Sequence, residues 1–161
     1  MSRSHEPAID DLDARLILVM RQNPRIGLME TSRLLGVARG TVQARLDRLV
    51  SRGVITGFGP ELSAAGLGYP VLAFVALDIA QGRLDEAVAL LADIPEVLEV
   101  HGTSGGSDLV CRVVARSNAD LQDVLLQILK TPAVQRTSTS IALSTLVPFR
   151  VEPLVEAAPL E

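Results

Sequence analysis

Apolar residues recur at intervals of three and four positions through residues 9–53, which is the period of one helix face. The first series consists of Ile9, Leu12, Leu16, Ile17, Val19 and Met20. Asn23-Pro24 ends this helix, and two more helices follow at about 28–35 and 38–52, closed by Gly36 and Gly53. Three helices with a glycine-centred turn between the second and the third predict a helix-turn-helix.

The segment after the third helix is rich in glycine. Residues 54–69, VITGFGPELSAAGLGY, contain four glycines and one proline, a composition typical of loops and edge strands. This segment predicts a short strand or wing that completes a winged helix-turn-helix domain over 1–57. A hinge or linker strand over 58–69 is expected to follow.

The hydrophobic period changes at residue 70. PVLAFVALDIA predicts a strand, and RLDEAVALLADIPEV returns to helical spacing. VLEVHGTS and DLVCRVVAR predict two strands joined by Gly105-Gly106, followed by a helix with Asn118 as its N-cap and a last strand, QRTSTSIALSTLVPF. The order βαββαβ predicts a ferredoxin-like domain over 70–149 and an α+β fold class. The apolar tail over 150–161 is assigned to no element.

The two parts of the chain also differ in charge. Residues 1–57 hold nine Arg and six Asp or Glu (+3), whereas residues 58–161 hold six Lys or Arg and thirteen Asp or Glu (−7), which sums to −4. This asymmetry favours a polyanion-binding head on an acidic body. Cys111 is the single cysteine, and no apolar run approaches the roughly 20 residues of a membrane span. We therefore expect a cytoplasmic protein without disulfides and without a membrane partner.

The third helix carries the candidate DNA-binding residues. A helical wheel places Ala38, Val42, Leu46, Leu49 and Gly53 on its inward side. The exposed positions predicted to meet DNA are Arg39, Gly40, Thr41, Gln43, Ala44, Arg45, Arg48 and Arg52. Arg39 and Gln43 are expected to reach base edges, since Arg pairs with guanine and Gln with adenine. The flank from Thr41 to Arg52 would follow the phosphates, and small residues at the tip permit close approach.

An alternative reading of the same helix stays open. A basic helix face is often only solvated surface, with Arg45 in an ion pair with an aspartate of the first helix. The turn glycine and the two preceding helices favour double-stranded DNA as the partner. A single helix-turn-helix reads half a site, so a homodimer is expected.

Four stretches of the chain match spaced patterns of one protein family. IDDLDARLIL is similar to LDxxDxxIL, NPRI to NaRi, GVARGTVQARLDRLVSRGVITGF to GLSxxxVxxRxxRLExxGvIxGy, and PEVLEVHGTSGGSDLVCRV to peVxecyxvtGxyDyllxv. By these motifs the chain resembles the Lrp/AsnC family of feast/famine transcriptional regulators over about 9–147. The resemblance implies a winged helix-turn-helix joined to a ferredoxin-like (RAM/ACT-like) effector domain. It also implies dimers that assemble into octamers, with an amino-acid effector bound in clefts between dimers.

The resemblance also implies an effector site. Its residues are Gly105, Gly106, Ser107, Asp108, Thr137 and Thr139. The two glycine N–H groups could receive a carboxylate and Asp108 could hold an ammonium group. Three positions depart from the family pattern: Ala38 replaces the usual N-cap Ser, Thr31 a buried Leu, and Ser107 the aromatic residue of the effector loop.

Two other classes of function are compatible with parts of this pattern. The first is a ligand-sensing oligomeric module without DNA binding, which is favoured by the departures from the family pattern at Ala38 and Thr31. The second is a haem-precursor decarboxylase of similar fold, for which His101 in a strand is the candidate. No catalytic constellation is apparent, and two histidines with one cysteine are too few for a structural zinc site. We therefore expect a regulator that is not an enzyme, with no metal and no cofactor beyond its effector.

Overall fold

The computed structural model describes residues 9–157, which form two compact units. One unit combines the residues up to Gly59 with those from Val147 onward, and the other spans Pro60–Leu146. Residues 1–8 and 158–161, which the predicted boundaries 1–57 and 150–161 include, lie outside the described residues. The elements are, in chain order, α1 (Asp11–Gln22), α2 (Leu28–Leu35), α3 (Arg39–Ser51), β1 (Val71–Ile79), α4 (Leu84–Ala92), β2 (Val97–Gly102), β3 (Leu109–Ala115), α5 (Asn118–Leu129), β4 (Val134–Ile141) and α6 (Glu152–Glu156).

Local sequence signals fix the ends of the first three helices. Asp10 and Asp13 form a reciprocal capping box at the start of α1. Gly36 ends α2 in the left-handed conformation (φ 69°, ψ 30°), which glycine adopts without a Cβ clash. Thr31, which replaces a leucine of the family pattern, is buried, and its hydroxyl donates to the Gly27 carbonyl at 3.0 Å. The buried hydroxyl is therefore satisfied within its own helix.

The core of the first unit is built from the apolar stripes of its helices. It consists of Ile9, Ala14, Leu16, Ile17, Leu35, Val42 and Leu49. The tail, for which the sequence predicted no element, contains α6, whose Val155 packs against this core. Glu152 of α6 also forms an ion pair with Arg21 of α1. The N-terminal unit is therefore completed by residues from the other end of the chain.

The second unit has the predicted βαββαβ order. Its four strands are all antiparallel and lie in the order β2-β3-β1-β4, which is the ferredoxin-like arrangement. Ala73, Val75 and Leu77 of β1 face a core that α4 and α5 complete. Cys111 lies in this core, where burial raises the pKa of its thiol to about 11. The other face of β1 carries Phe74, which is exposed.

Three predicted details of these elements are wrong. Residues 58–69 form no strand; the segment instead contains a turn closed by the Tyr69 N–H and the Ala64 carbonyl at 2.9 Å, because Pro60 lacks an N–H for a ladder and glycines weaken a strand through their backbone freedom. The last strand ends at Ile141. The N-cap of α5 is Ser117, whose hydroxyl accepts from the Asp120 N–H, and Asn118 is the first helical residue.

Candidate functional site

The N-terminal half of α3 presents polar and small side chains to solvent. Arg39, Gly40, Thr41, Gln43 and Ala44 are all exposed. The preceding residue occupies the N-cap position without a side-chain hydrogen bond, as the sequence led us to expect from an alanine there. The tip of the helix thus lacks the capping interaction, worth about 1 kcal/mol, that a serine would supply.

Two side chains of this tip could read bases. Arg39 makes no ion pair or side-chain hydrogen bond within residues 9–157. Gln43 Nε2 donates to Asp47 Oδ1 at 2.8 Å, which aligns the amide along the exposed strip of the helix. A Cβ added at Gly40 would meet nothing within 4 Å. The fold therefore does not require glycine at this position.

The flank of α3 is engaged by aspartates of α1. Arg45 Nη1 donates to both oxygens of Asp10 at 2.6 Å and to Asp13 Oδ1 at 2.8 Å. Arg48 Nη2 donates to Asp13 Oδ2 at 2.6 Å. The hydrogen bond from Arg45 lowers the pKa of Asp10, and the same bond raises the pKa of Arg45. The ion pair that the sequence left open for Arg45 is present, and a phosphate role for these two arginines stays a prediction.

Asp13 is the residue of this network that the sequence analysis missed. Its side chain is 1 % exposed. Its position in the sequence indicates this burial. Asp13 lies three residues before Leu16 and four before Ile17, on the buried stripe of α1. A carboxylate on an apolar stripe requires a buried partner. The basic flank of α3 supplies that partner.

The sheet unit contains a cavity of about 720 Å³ beside the loop between β2 and β3. It is lined by Ala76, Asp78, Thr103, Gly105, Gly106, Ser107, Val110, Arg136, Thr137 and Ser138. Four of the six predicted effector residues therefore lie together on its wall. Two charged wall residues were not predicted: Arg136 Nη2 and Asp78 Oδ2 form an ion pair at 2.8 Å. Their opposition across β1 and β4 follows from the strand register, which the sequence alone did not give.

The other two predicted effector residues lie elsewhere. Thr139 is opposite Val75, two residue pairs further along β4 than Thr137, and it lines neither cavity. Asp108 lines a second cavity of about 590 Å³. One of its carboxylate oxygens accepts from the Ile79 N–H at 2.7 Å, so it holds the loop to the end of β1. The Gly105 and Gly106 N–H groups make no hydrogen bond within residues 9–157.

Family models cover both units. Residues 9–56 match a winged helix-turn-helix DNA-binding model and residues 72–151 match the Lrp/AsnC ligand binding domain. The chain is 31 % identical over 137 residues to the HTH-type transcriptional regulator FL11 of Pyrococcus horikoshii, covering 85 % of this chain and 91 % of the relative. The chain belongs to the Lrp/AsnC family. The predicted family, fold class and DNA-binding regulatory function are thereby confirmed.

Solved structures of Lrp/AsnC proteins have the same fold. E. coli AsnC superposes with a TM-score of 0.84 at 29 % identity, covering 90 % of this chain and 99 % of that one. A feast or famine regulatory protein from M. tuberculosis, complexed with L-methionine, gives a TM-score of 0.78 at 32 % identity, covering 89 % and 98 %. These relatives are regulators and give no support to the decarboxylase alternative. Within residues 9–157, no helix is both long and apolar enough to cross a membrane.

Proposed function

We propose that this Lrp/AsnC regulator binds double-stranded DNA as a homodimer through the N-terminal half of α3, and that the cavity beside Gly105 and Gly106 takes a free amino acid as effector. The proposal of DNA binding rests on the exposure and the free hydrogen-bonding groups of the side chains at the N-terminal tip of α3. Arg39 is exposed and unpaired within residues 9–157, beside small residues that allow a helix to approach a groove. Arg39 and Gln43 would read base edges, and Arg52 would contact a phosphate.

Arg39→Ala is expected to weaken binding to a specific duplex by about 10- to 100-fold, the discrimination typical of a bidentate base contact. The duplex to use first is the region upstream of the protein's own gene, and the measurement is a gel-shift titration. Lys130→Ala is the matched control, because it removes one exposed charge from the sheet unit. Equal binding by the two variants would contradict the placement of Arg39 at a base edge.

The open face of the sheet supports the homodimer. Phe74 is 45 % exposed, and its neighbours on that face include Leu72, Ala76 and Val110. Arg112 Nε has no hydrogen-bond partner within residues 9–157. An apolar patch with polar groups at its border suits a second copy of the same face. Two copies would place two recognition helices on half-sites about one helical turn apart, and further assembly to an octamer follows from the family resemblance.

The cavity supports an amino-acid effector because it carries both signs of charge. Arg136 could receive a carboxylate and Asp78 an ammonium group, with the N–H groups of Gly105 and Gly106 as further donors. The relative from M. tuberculosis is a complex with L-methionine. A ligand that binds one assembly more tightly than another would shift DNA binding between them.

Gly106→Ala is expected to abolish the rise in melting temperature given by an amino-acid effector and to leave the fold unchanged. An added Cβ meets nothing within 4 Å in the protein itself, so it would obstruct only a ligand that approaches the backbone. The measurement is a thermal-shift screen of the twenty amino acids, followed by light scattering with each hit. Gly102→Ala, which borders the second cavity, is the control. A response lost in that variant and retained in Gly106→Ala would place the effector in the second cavity instead.

A further inference from the structure

The two aspartates that hold Arg45 differ in their access to solvent. Asp13 is buried, and it binds Arg45 and Arg48 together. The side chain of Asp10 is 49 % exposed, and both of its oxygens lie 2.6 Å from Arg45 Nη1. An arginine exchanges an exposed carboxylate for another anion at low cost, because water solvates the carboxylate once it is released. Asp13 is therefore a fixed partner of the arginines and Asp10 an exchangeable one.

We propose that Asp10 is an intramolecular competitor of the DNA phosphate for Arg45, and thereby lowers the affinity of the protein for duplex DNA of any sequence. The inference rests on the proposed function, in which α3 meets duplex DNA. The bond pattern supports it. The Nε and Nη2 groups of Arg45 make no hydrogen bond within residues 9–157, so the guanidinium keeps donors for a phosphate while Asp10 occupies Nη1.

The competition reduces the positive charge that the flank of α3 offers to DNA. Arg45, Arg48 and Arg52 carry +3, but the carboxylates of Asp10 and Asp13 cancel two of these charges. Phosphate contacts strengthen binding to every sequence equally. A carboxylate that occupies one of the arginines therefore weakens non-specific binding and leaves the base contacts at the α3 tip untouched. Binding to a duplex of any sequence is weakened by the same factor as a result, and sequence discrimination stays with the base contacts.

Asp10→Asn tests the proposal with little disturbance of the fold. Asparagine caps a helix N-terminus as well as aspartate does, so α1 keeps its first turn. Asp11→Asn is the matched control: it removes the same charge one residue away, and among the residues that the structure describes Asp11 pairs only with Arg15 of its own helix, at 4.0 Å. The full chain is titrated into a labelled duplex of arbitrary sequence between about 50 and about 200 mM salt, the range in which phosphate contacts are strongly screened.

We expect Asp10→Asn to bind this duplex more tightly than Asp11→Asn. One additional phosphate contact steepens the logarithmic salt dependence by about 0.9. The advantage should therefore shrink about threefold over this salt range for each recognition helix bound. Adding Arg45→Ala to both variants should remove most of the difference, because Arg45 Nη1 lies 2.6 Å from Asp10 whereas Arg48 Nη2 lies 3.6 Å from it.

Three results would overturn the proposal. Equal affinities of Asp10→Asn and Asp11→Asn at every salt concentration would do so while leaving the proposed function intact. An advantage that Arg45→Ala leaves undiminished would show that another cation is involved. Failure of the wild-type chain to bind any duplex would overturn the proposed function together with this inference. Asp10→Ser, a second uncharged cap, is expected to behave as Asp10→Asn does, and thermal melting confirms that each variant is folded.

Discussion

Leu49→Ala should lower the free energy of unfolding of the N-terminal unit by about 3 kcal/mol, which is the middle of the range for a buried leucine. Leu49 is fully buried in the core that Leu16 and Val42 share, and truncation leaves a cavity where α3 meets the other helices. Hydrogen exchange read by mass spectrometry separates the two units. Protection of α1 and α3 should fall by about 100-fold, since each 1.4 kcal/mol corresponds to a factor of ten.

Leu34→Ala is the control for this substitution. Leu34 is 54 % exposed on α2, and leucine and alanine have similar helix propensities. Its replacement should change protection by less than about threefold. The strands of the sheet unit should keep their protection in both variants. An equal loss of protection in β1 and in α3 would contradict the expectation that the two units unfold separately.

Asp13→Ala is the second substitution with a large expected effect, about 3 kcal/mol of stability in the same unit. Removing one partner of a buried ion pair typically costs 3–5 kcal/mol. The lower end applies here because Arg45 and Arg48 keep 24 % and 45 % of their side chains exposed. The substitution also removes the hydrogen bond that the Asp13 carboxylate accepts from the Asp10 N–H in the capping box. Urea unfolding followed by circular dichroism measures the loss.

Asp11→Ala provides the comparison for the buried aspartate. It lies in the same first turn and has the same relation to the helix dipole, but its side chain is 40 % exposed. Its replacement should change stability by about 0.5 kcal/mol or less. Equal effects at the two positions would mean that the network around Asp13 contributes no more than an exposed ion pair.

Local signals in the sequence predicted the elements of this protein well. Gly36 and Pro24 mark helix ends, and the change from a period of three or four to alternation marks the start of the sheet unit. Such signals act within a few residues along the chain, so they can be read without the fold. The error at Asn118 is of this local kind and amounts to one residue, because Ser117 is an equally good cap.

Features that depend on distant partners were not predictable in the same way. The ion pair between Asp78 and Arg136 requires the register of β1 against β4. The difference between Asp10, which is exposed, and Asp13, which is buried, could be predicted only from the distance between α1 and α3 and the exposure of each carboxylate. Residue type alone assigned the flank of α3 to phosphates. The structure shows that two of its arginines, Arg45 and Arg48, already have carboxylate partners.

The packing of α6 on α1 has a consequence for synthesis on the ribosome. The first three helices emerge before any strand has been translated, and domains generally begin to fold in that order. Val155, however, reaches their core only after the whole sheet unit has been made. Until α6 has been synthesised, part of the apolar surface of the DNA-binding unit therefore stays uncovered. The core of the DNA-binding unit is completed only after the ligand-binding unit has been synthesised. A complete DNA-binding unit is therefore always attached to a ligand-binding unit.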